Sequence, residues 1–111
     1  IVHETVYEKR FGYVHELKKM GADIELFNQC LGSTPCRFVT SNYLHSAVIK
    51  GPTPLHGAEI NIPDLRAGFS YLVAAIIAKG ESIINGAVYI DRGYEDIDLK
   101  LKSIGADIKR V

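Results

Sequence analysis

Three arginines stand where predicted helices open: Arg10, Arg66 and Arg92. Arginine is unfavourable there, because the first helical turn has unpaired N–H groups and the positive end of the helix dipole. A guanidinium joined to those N–H groups can hold a phosphate or a carboxylate. The alternative reading is structural, with each arginine paired to a nearby carboxylate, and the residues alone leave both open. Asp64, just ahead of Arg66, reads most simply as the cap of its helix. Asp91 and Glu95 flank Arg92, where they either orient it or satisfy the first turn of the third helix.

Other chemistries lack their residue patterns. His3, His15, His45 and His56 follow no ligand spacing, and Cys30 and Cys36 lie six apart with no second pair, so no metal site is expected. The two cysteines read as a buried thiol and a loop thiol suited to a reducing compartment, with a single disulfide left open. No glycine-rich phosphate loop is present, no serine sits in a nucleophile elbow, and no cofactor is expected.

The totals narrow the setting. In 111 residues, 13 Lys and Arg balance 13 Asp and Glu, so there is no basic excess for nucleic acid or a membrane surface. A hydrophobic fraction of 47% with 23% charged residues suits a folded domain. The longest apolar stretch, Phe69 to Ala78, is too short to span a bilayer, and no secretory signal opens the chain, so a cytoplasmic setting is expected. The chain starts at Ile1 and runs straight into strand-like sequence, which reads as a piece of something longer.

The elements that must position the arginines follow from periodicity. Residues 1–7 suit a strand. A helix from Arg10 to Met20 places Phe11, Val14 and Leu17 on one side and stops at Gly21. Residues 22–27 alternate as a strand. Residues 28–44 are hard to read, with 32–35 a turn and 37–40 a short strand. Further strands are expected at 43–50 and 58–62. The apolar helix behind Asp64 runs to Lys79 and ends at Gly80. Residues 82–90 alternate around Gly86 as a strand or hairpin. A third helix spans about 93–104, Gly105 ends it, and 106–111 form a last strand. Gly21-Ala22-Asp23-Ile24 recurs as Gly105-Ala106-Asp107-Ile108, which points to a duplicated α/β architecture.

Four stretches then carry a resemblance. Thr5-Val6-Tyr7-Glu8-Lys9-Arg10-Phe11, Glu16-Leu17-Lys18-Lys19-Met20-Gly21-Ala22, Asp64-Leu65-Arg66-Ala67 and Ile90-Asp91-Arg92-Gly93-Tyr94-Glu95 resemble, in order, the C-terminal part of the UDP-N-acetylglucosamine 1-carboxyvinyltransferases. These enolpyruvyl transferases catalyse the first committed step of peptidoglycan synthesis. The shikimate-pathway enolpyruvyl transferases differ at the last two motifs and rank second. The resemblance covers most of the chain except residues 28–44, which are longer than the family's usual short hairpin.

The resemblance implies part of an inside-out α/β barrel built from repeated βαβαββ units, helices inside and sheets outside. Residues 1–27 would end one unit, 28–44 would be a divergent insertion, and 45–111 would form the last unit. It also implies two substrates, UDP-N-acetylglucosamine and phosphoenolpyruvate, with the missing N-terminal part of the enzyme as partner. By position, Arg92 matches an arginine that contacts phosphoenolpyruvate and takes the catalytic role. Asp64 and Arg66 match cleft residues near that substrate, Val6 a position whose backbone touches the nucleotide sugar, and Arg10 the adjoining helix start. The catalytic cysteine loop would lie upstream of Ile1, so the 111 residues alone are expected to be inactive. A binding or assembly module that kept the fold and lost the chemistry is the rival reading.

Overall fold

Alternation and helical stripes sort into two units in the computed structural model, which describes residues 1–111: Ile1–Thr53 and Pro54–Val111. The result is a mixed α/β chain. No helix is long and apolar enough to cross a membrane.

In the first unit, β1 (Val2–His3), β2 (Asp23–Phe27) and β3 (Ser46–Lys50) form an antiparallel sheet in the order β1-β3-β2. Register runs from Asp23 opposite Lys50 to Phe27 opposite Ser46. The expected first helix is present in two parts, a 3₁₀ turn at Arg10–Tyr13 and α1 at Val14–Lys19. Phe11, Val14, Ile24 and Ala47 form the core, with Leu17 and Leu26 packed against them. Gly21 takes φ 95°, and the N–H groups of Gly21 and Ala22 donate to Lys18 O and Leu17 O, the paired bonds of a Schellman helix end.

In the second unit, β4 (Glu59–Asn61) and β5 (Ile83–Asn85) pair in parallel across α2 (Leu65–Ile77), a βαβ crossover. Ile60 is fully buried between exposed Glu59 and Asn61, as strand alternation requires. Helix α2 buries Ala67, Tyr71 and Ala74 together with Gly68 and Leu72, one stripe at helical spacing. The helix ends at Ile77, short of the expected Lys79: Ala78 is extended (ψ 150°), Lys79 bridges to His56, and Gly80, at φ 92°, turns the chain beyond the helix.

Several expectations need correction. Residues 37–40 form turns and no strand, because Phe38 alone of these four is buried and nothing pairs with them. The strand at 82–90 stops at Asn85; Gly86, at φ 88°, turns the chain into the short helix α3 (Ala87–Asp91). The third long helix is only α4 (Ile97–Ser103). Residues 106–111 have no strand partner in this chain and are not a strand. The repeated Gly-Ala-Asp-Ile is instead a repeated helix stop: Gly105 takes φ 102°, with Gly105 and Ala106 N–H donating to Lys102 O and Leu101 O.

Candidate functional site

The start of α2 is built as the local sequence dictates. Asp64 is extended (φ −159°, ψ 169°), and its Oδ1 accepts from Ala67 N–H at 3.0 Å, the N-cap geometry expected of an aspartate there. Arg66, second residue of the helix, projects with its side chain 69% exposed; its Nε lies 4.0 Å from Asp64 Oδ1, too long and too wet to immobilise it.

Arg92 corrects the premise of three helix starts. It follows Asp91 at the C-terminal end of α3, where a cation is favoured by the helix dipole, and its guanidinium lies 5.7 Å from the Tyr89 ring centre. Asp91 does not orient it. That carboxylate takes a paired hydrogen bond from Arg110, Nη1 to Oδ2 at 3.0 Å and Nη2 to Oδ1 at 2.9 Å. Arg110 also donates from Nη2 to Asp98 Oδ1 at 3.1 Å, tying the end of α3 to the first turn of α4. These bonds hold both carboxyl groups below the usual aspartate range and leave the guanidinium charged throughout.

Two glycines set the spacing between these segments. A Cβ on Gly93 would stand 2.7 Å from Leu65 Cδ1, and one on Gly68 would stand 2.9 Å from Ile90 Cγ1. Arg66 and Arg92 are therefore chain neighbours of two residues in direct contact. Phe69 and Tyr94 stack beside them, with centroids 5.0 Å apart.

Val6 and Arg10 belong to the first unit, and both already have local partners. Glu4 Oε1 accepts from Val6 N–H at 2.7 Å and from Tyr7 N–H at 3.1 Å, while Glu4 Oε2 lies 3.2 Å from Arg10 Nε. The two backbone donors, with Arg10 adding a weaker pull, lower the Glu4 carboxyl. Arg10 also covers the Tyr7 ring at 4.4 Å. Arg10 is thus paired with a nearby carboxylate. Arg37 Nη1 donates to Val6 O at 3.4 Å, a contact that spacing gave no hint of.

A second group was also invisible to spacing. Cys30, Cys36 and His45 converge, their Sγ, Sγ and imidazole nitrogen atoms all within 4.8 Å of one another. Sequence spacing does not show this group because His45 reaches the cysteines through strand approach: His45 N–H donates to Phe27 O as β3 approaches β2. The hydrogen bond between the two sulfurs, 2.7 Å apart, pushes the Cys30 thiol up. His3, Thr5, Cys30, Thr34, Pro35, Cys36 and Arg37 line a cleft of about 450 Å³.

These features define the class first, a mixed α/β chain with exposed arginines at the start of a capped helix and beside it. The chain belongs to the EPSP synthase (3-phosphoshikimate 1-carboxyvinyltransferase) family, whose model matches residues 1–101. It is 58% identical over all 111 residues to the UDP-N-acetylglucosamine 1-carboxyvinyltransferase of Protochlamydia amoebophila, and 53% identical over 109 residues to that of Chlamydia abortus. The chain covers 24% of the length of each. Among solved structures it resembles the enolpyruvyl transferase NikO from Streptomyces tendae, at TM-score 0.78 and 28% identity, over 99% of this chain and 22% of that one.

Proposed function

We propose that this chain is a C-terminal portion of an enolpyruvyl transferase that moves the enolpyruvyl group of phosphoenolpyruvate onto the 3′-hydroxyl of UDP-N-acetylglucosamine, in the cytoplasm, for peptidoglycan synthesis. The observation that carries this reading is 58% identity, over the whole chain, to a protein named for that reaction. The family description names a 3-phosphoshikimate enzyme, so the acceptor is argued from the relatives' names alone.

In this reading the hydroxyl adds to phosphoenolpyruvate and phosphate leaves from a tetrahedral intermediate. Both substrates are anions, and fixed cations stabilise their charge best when no reorganisation is needed. Arg92 would contact phosphoenolpyruvate and act catalytically; Arg66 and Asp64 would line the same cleft. Arg66 stands on the first turn of a capped helix with its side chain 69% exposed, where an incoming anion can reach it. Val6 and Arg10 would face the nucleotide sugar, through the Val6 carbonyl's remaining lone pair and the Arg10 edge not facing Glu4. The repeat units, ending at residue 27 and resuming at 45 around an insertion, would form part of a barrel with helices inside. The remainder of the polypeptide would supply the nucleophile-positioning parts, and without it the reaction is unassembled.

The test is phosphate release by the full-length protein from phosphoenolpyruvate with either acceptor. Release with UDP-N-acetylglucosamine and none with shikimate 3-phosphate supports the reading. The reverse preference overturns the acceptor, and no release with either overturns the activity.

A further inference from the structure

We propose that Cys30, Cys36 and His45 bind one divalent metal ion of the zinc class, which fastens the loop between β2 and β3. His45 is 1% exposed, and its Nδ1 lies 2.8 Å from Tyr43 O. A carbonyl only accepts, so Nδ1 donates to it, and in the neutral ring that tautomer leaves the Nε2 lone pair for a metal. Nε2 is 3.5 Å from Cys30 Sγ. A backbone carbonyl fixing one ring nitrogen while the other faces thiolates is the arrangement a metal-bound histidine requires. The ring itself is held by β-sheet pairing at its backbone and by Phe38, 5.7 Å away between centroids.

The sulfurs complete the donor set. Cys36 N–H donates to Cys30 Sγ at 3.3 Å, a bond that strengthens as the sulfur becomes anionic. Binding would release the two thiol protons, form two metal–sulfur bonds and one metal–nitrogen bond, and leave a fourth position for water from the cleft. Tetrahedral bonds of about 2.3 Å would move the sulfurs from their shared hydrogen bond to about 3.8 Å apart. Both cysteines lie outside regular elements and are half-buried, so that movement costs no sheet or helix bond. Two thiolates and a divalent ion sum to zero, so no uncompensated charge is enclosed.

The loop gives a reason for such a fastening. Across residues 28–45 only Phe38 and His45 are buried. One aromatic side chain offsets little of the entropy of ordering that many residues, whereas a metal closing the loop adds directly to folding.

The test uses the full-length polypeptide, reduced, freed of metal and titrated with Co²⁺ and then Zn²⁺. The expected result is one equivalent of cobalt with thiolate-to-cobalt charge-transfer absorption, displaced by zinc. Cys30→Ser and Cys36→Ser should abolish that absorption, His45→Gln should weaken zinc binding at least about 100-fold, and His56→Gln should change neither. Absence of the charge-transfer band in the unsubstituted protein overturns the proposal. So does a mass two hydrogens low before reduction together with no metal uptake after it, which makes the pair a disulfide. None of these readouts is transferase activity, so the site stands or falls apart from the reaction proposed above.

Discussion

Gly93 lies against Leu65 so closely that a Cβ at position 93 would meet Leu65 Cδ1 at 2.7 Å. Leu65 opens α2, and Gly93 follows Arg92. This one contact holds the backbone that carries Arg92 beside the helix start that carries Arg66. In the proposed reaction the two guanidinium groups would share one anion, and that reading rests on this proximity.

If the proposed reaction holds, Arg92→Ala in the full-length protein should lower turnover by at least about 100-fold, the scale of losing one preorganised donor. Arg92→Lys should recover only part of it, because an ammonium lacks the planar fork that holds a carboxylate by two bonds. Steady-state kinetics near normal in the alanine variant would remove Arg92 from the mechanism.

Asp64 separates capping from chemistry. Asp64→Ala should cost about 1 kcal/mol in denaturant unfolding, because Ala67 N–H loses its acceptor. Asn is an equally good cap, so Asp64→Asn should unfold at nearly the same denaturant concentration. Stability kept but turnover lost in the Asn variant would give the carboxylate a role with substrate. Stability and turnover both kept would make it a cap alone.

Packing between α2 and α3 depends on Gly68. An added methyl group would stand 2.9 Å from Cγ1 of Ile90, itself only 3% exposed. Helix propensity favours Ala by up to about 1 kcal/mol, but overpacking a buried contact costs about 1–3 kcal/mol. Gly68→Ala should therefore destabilise, by up to about 2 kcal/mol after the full propensity gain. Gly12, with nothing within 4 Å of its built Cβ, is the control, and Gly12→Ala should be neutral or slightly stabilising. Equal unfolding midpoints for the two variants would contradict the packing argument.

Acid should loosen the Arg110 clamp. Asp91 and Asp98 are held below their ordinary range by hydrogen bonds from Arg110. A depressed folded value means the stabilisation is complete above the unfolded aspartate value of about 4 and is lost as pH falls through the folded one. Unfolding monitored against pH should thus be flat from neutrality to about pH 5 and fall below about pH 4. Arg110→Ala should flatten the acid limb; an unchanged limb would show that the clamp is not formed in solution.

Legibility varied by element for physical reasons. Helix ends were clearest at Gly21 and Gly105, which take the left-handed backbone of a glycine stop, whereas Gly80 is left-handed but lies beyond a helix that already ends at Ile77. The Asp64 cap was equally local. Residues 82–91 misled because Ile83 to Asn85 and Ala87 to Asp91 are similarly apolar, and only the turn at Gly86 separates strand from helix. Arg92 was placed one helix too late for the same reason. Arg110 and the Cys30–Cys36–His45 group left no local signature, since their partners lie 12 to 19 residues away for the arginine and 15 between Cys30 and His45.

Residue order alone determined the glycine stops, the capped apolar helix, the alternating strands and a charge balance with no basic excess, because each depends on neighbours within a turn or two of chain. Family membership was legible in the same way, as short runs in a fixed order. Tertiary structure decided which arginines stay exposed, that Arg110 meets Asp91 and Asp98, and that His45 lies beside two cysteines. Those outcomes depend on strand register and on the closeness that Gly68 and Gly93 permit, where the relevant distances are set through space.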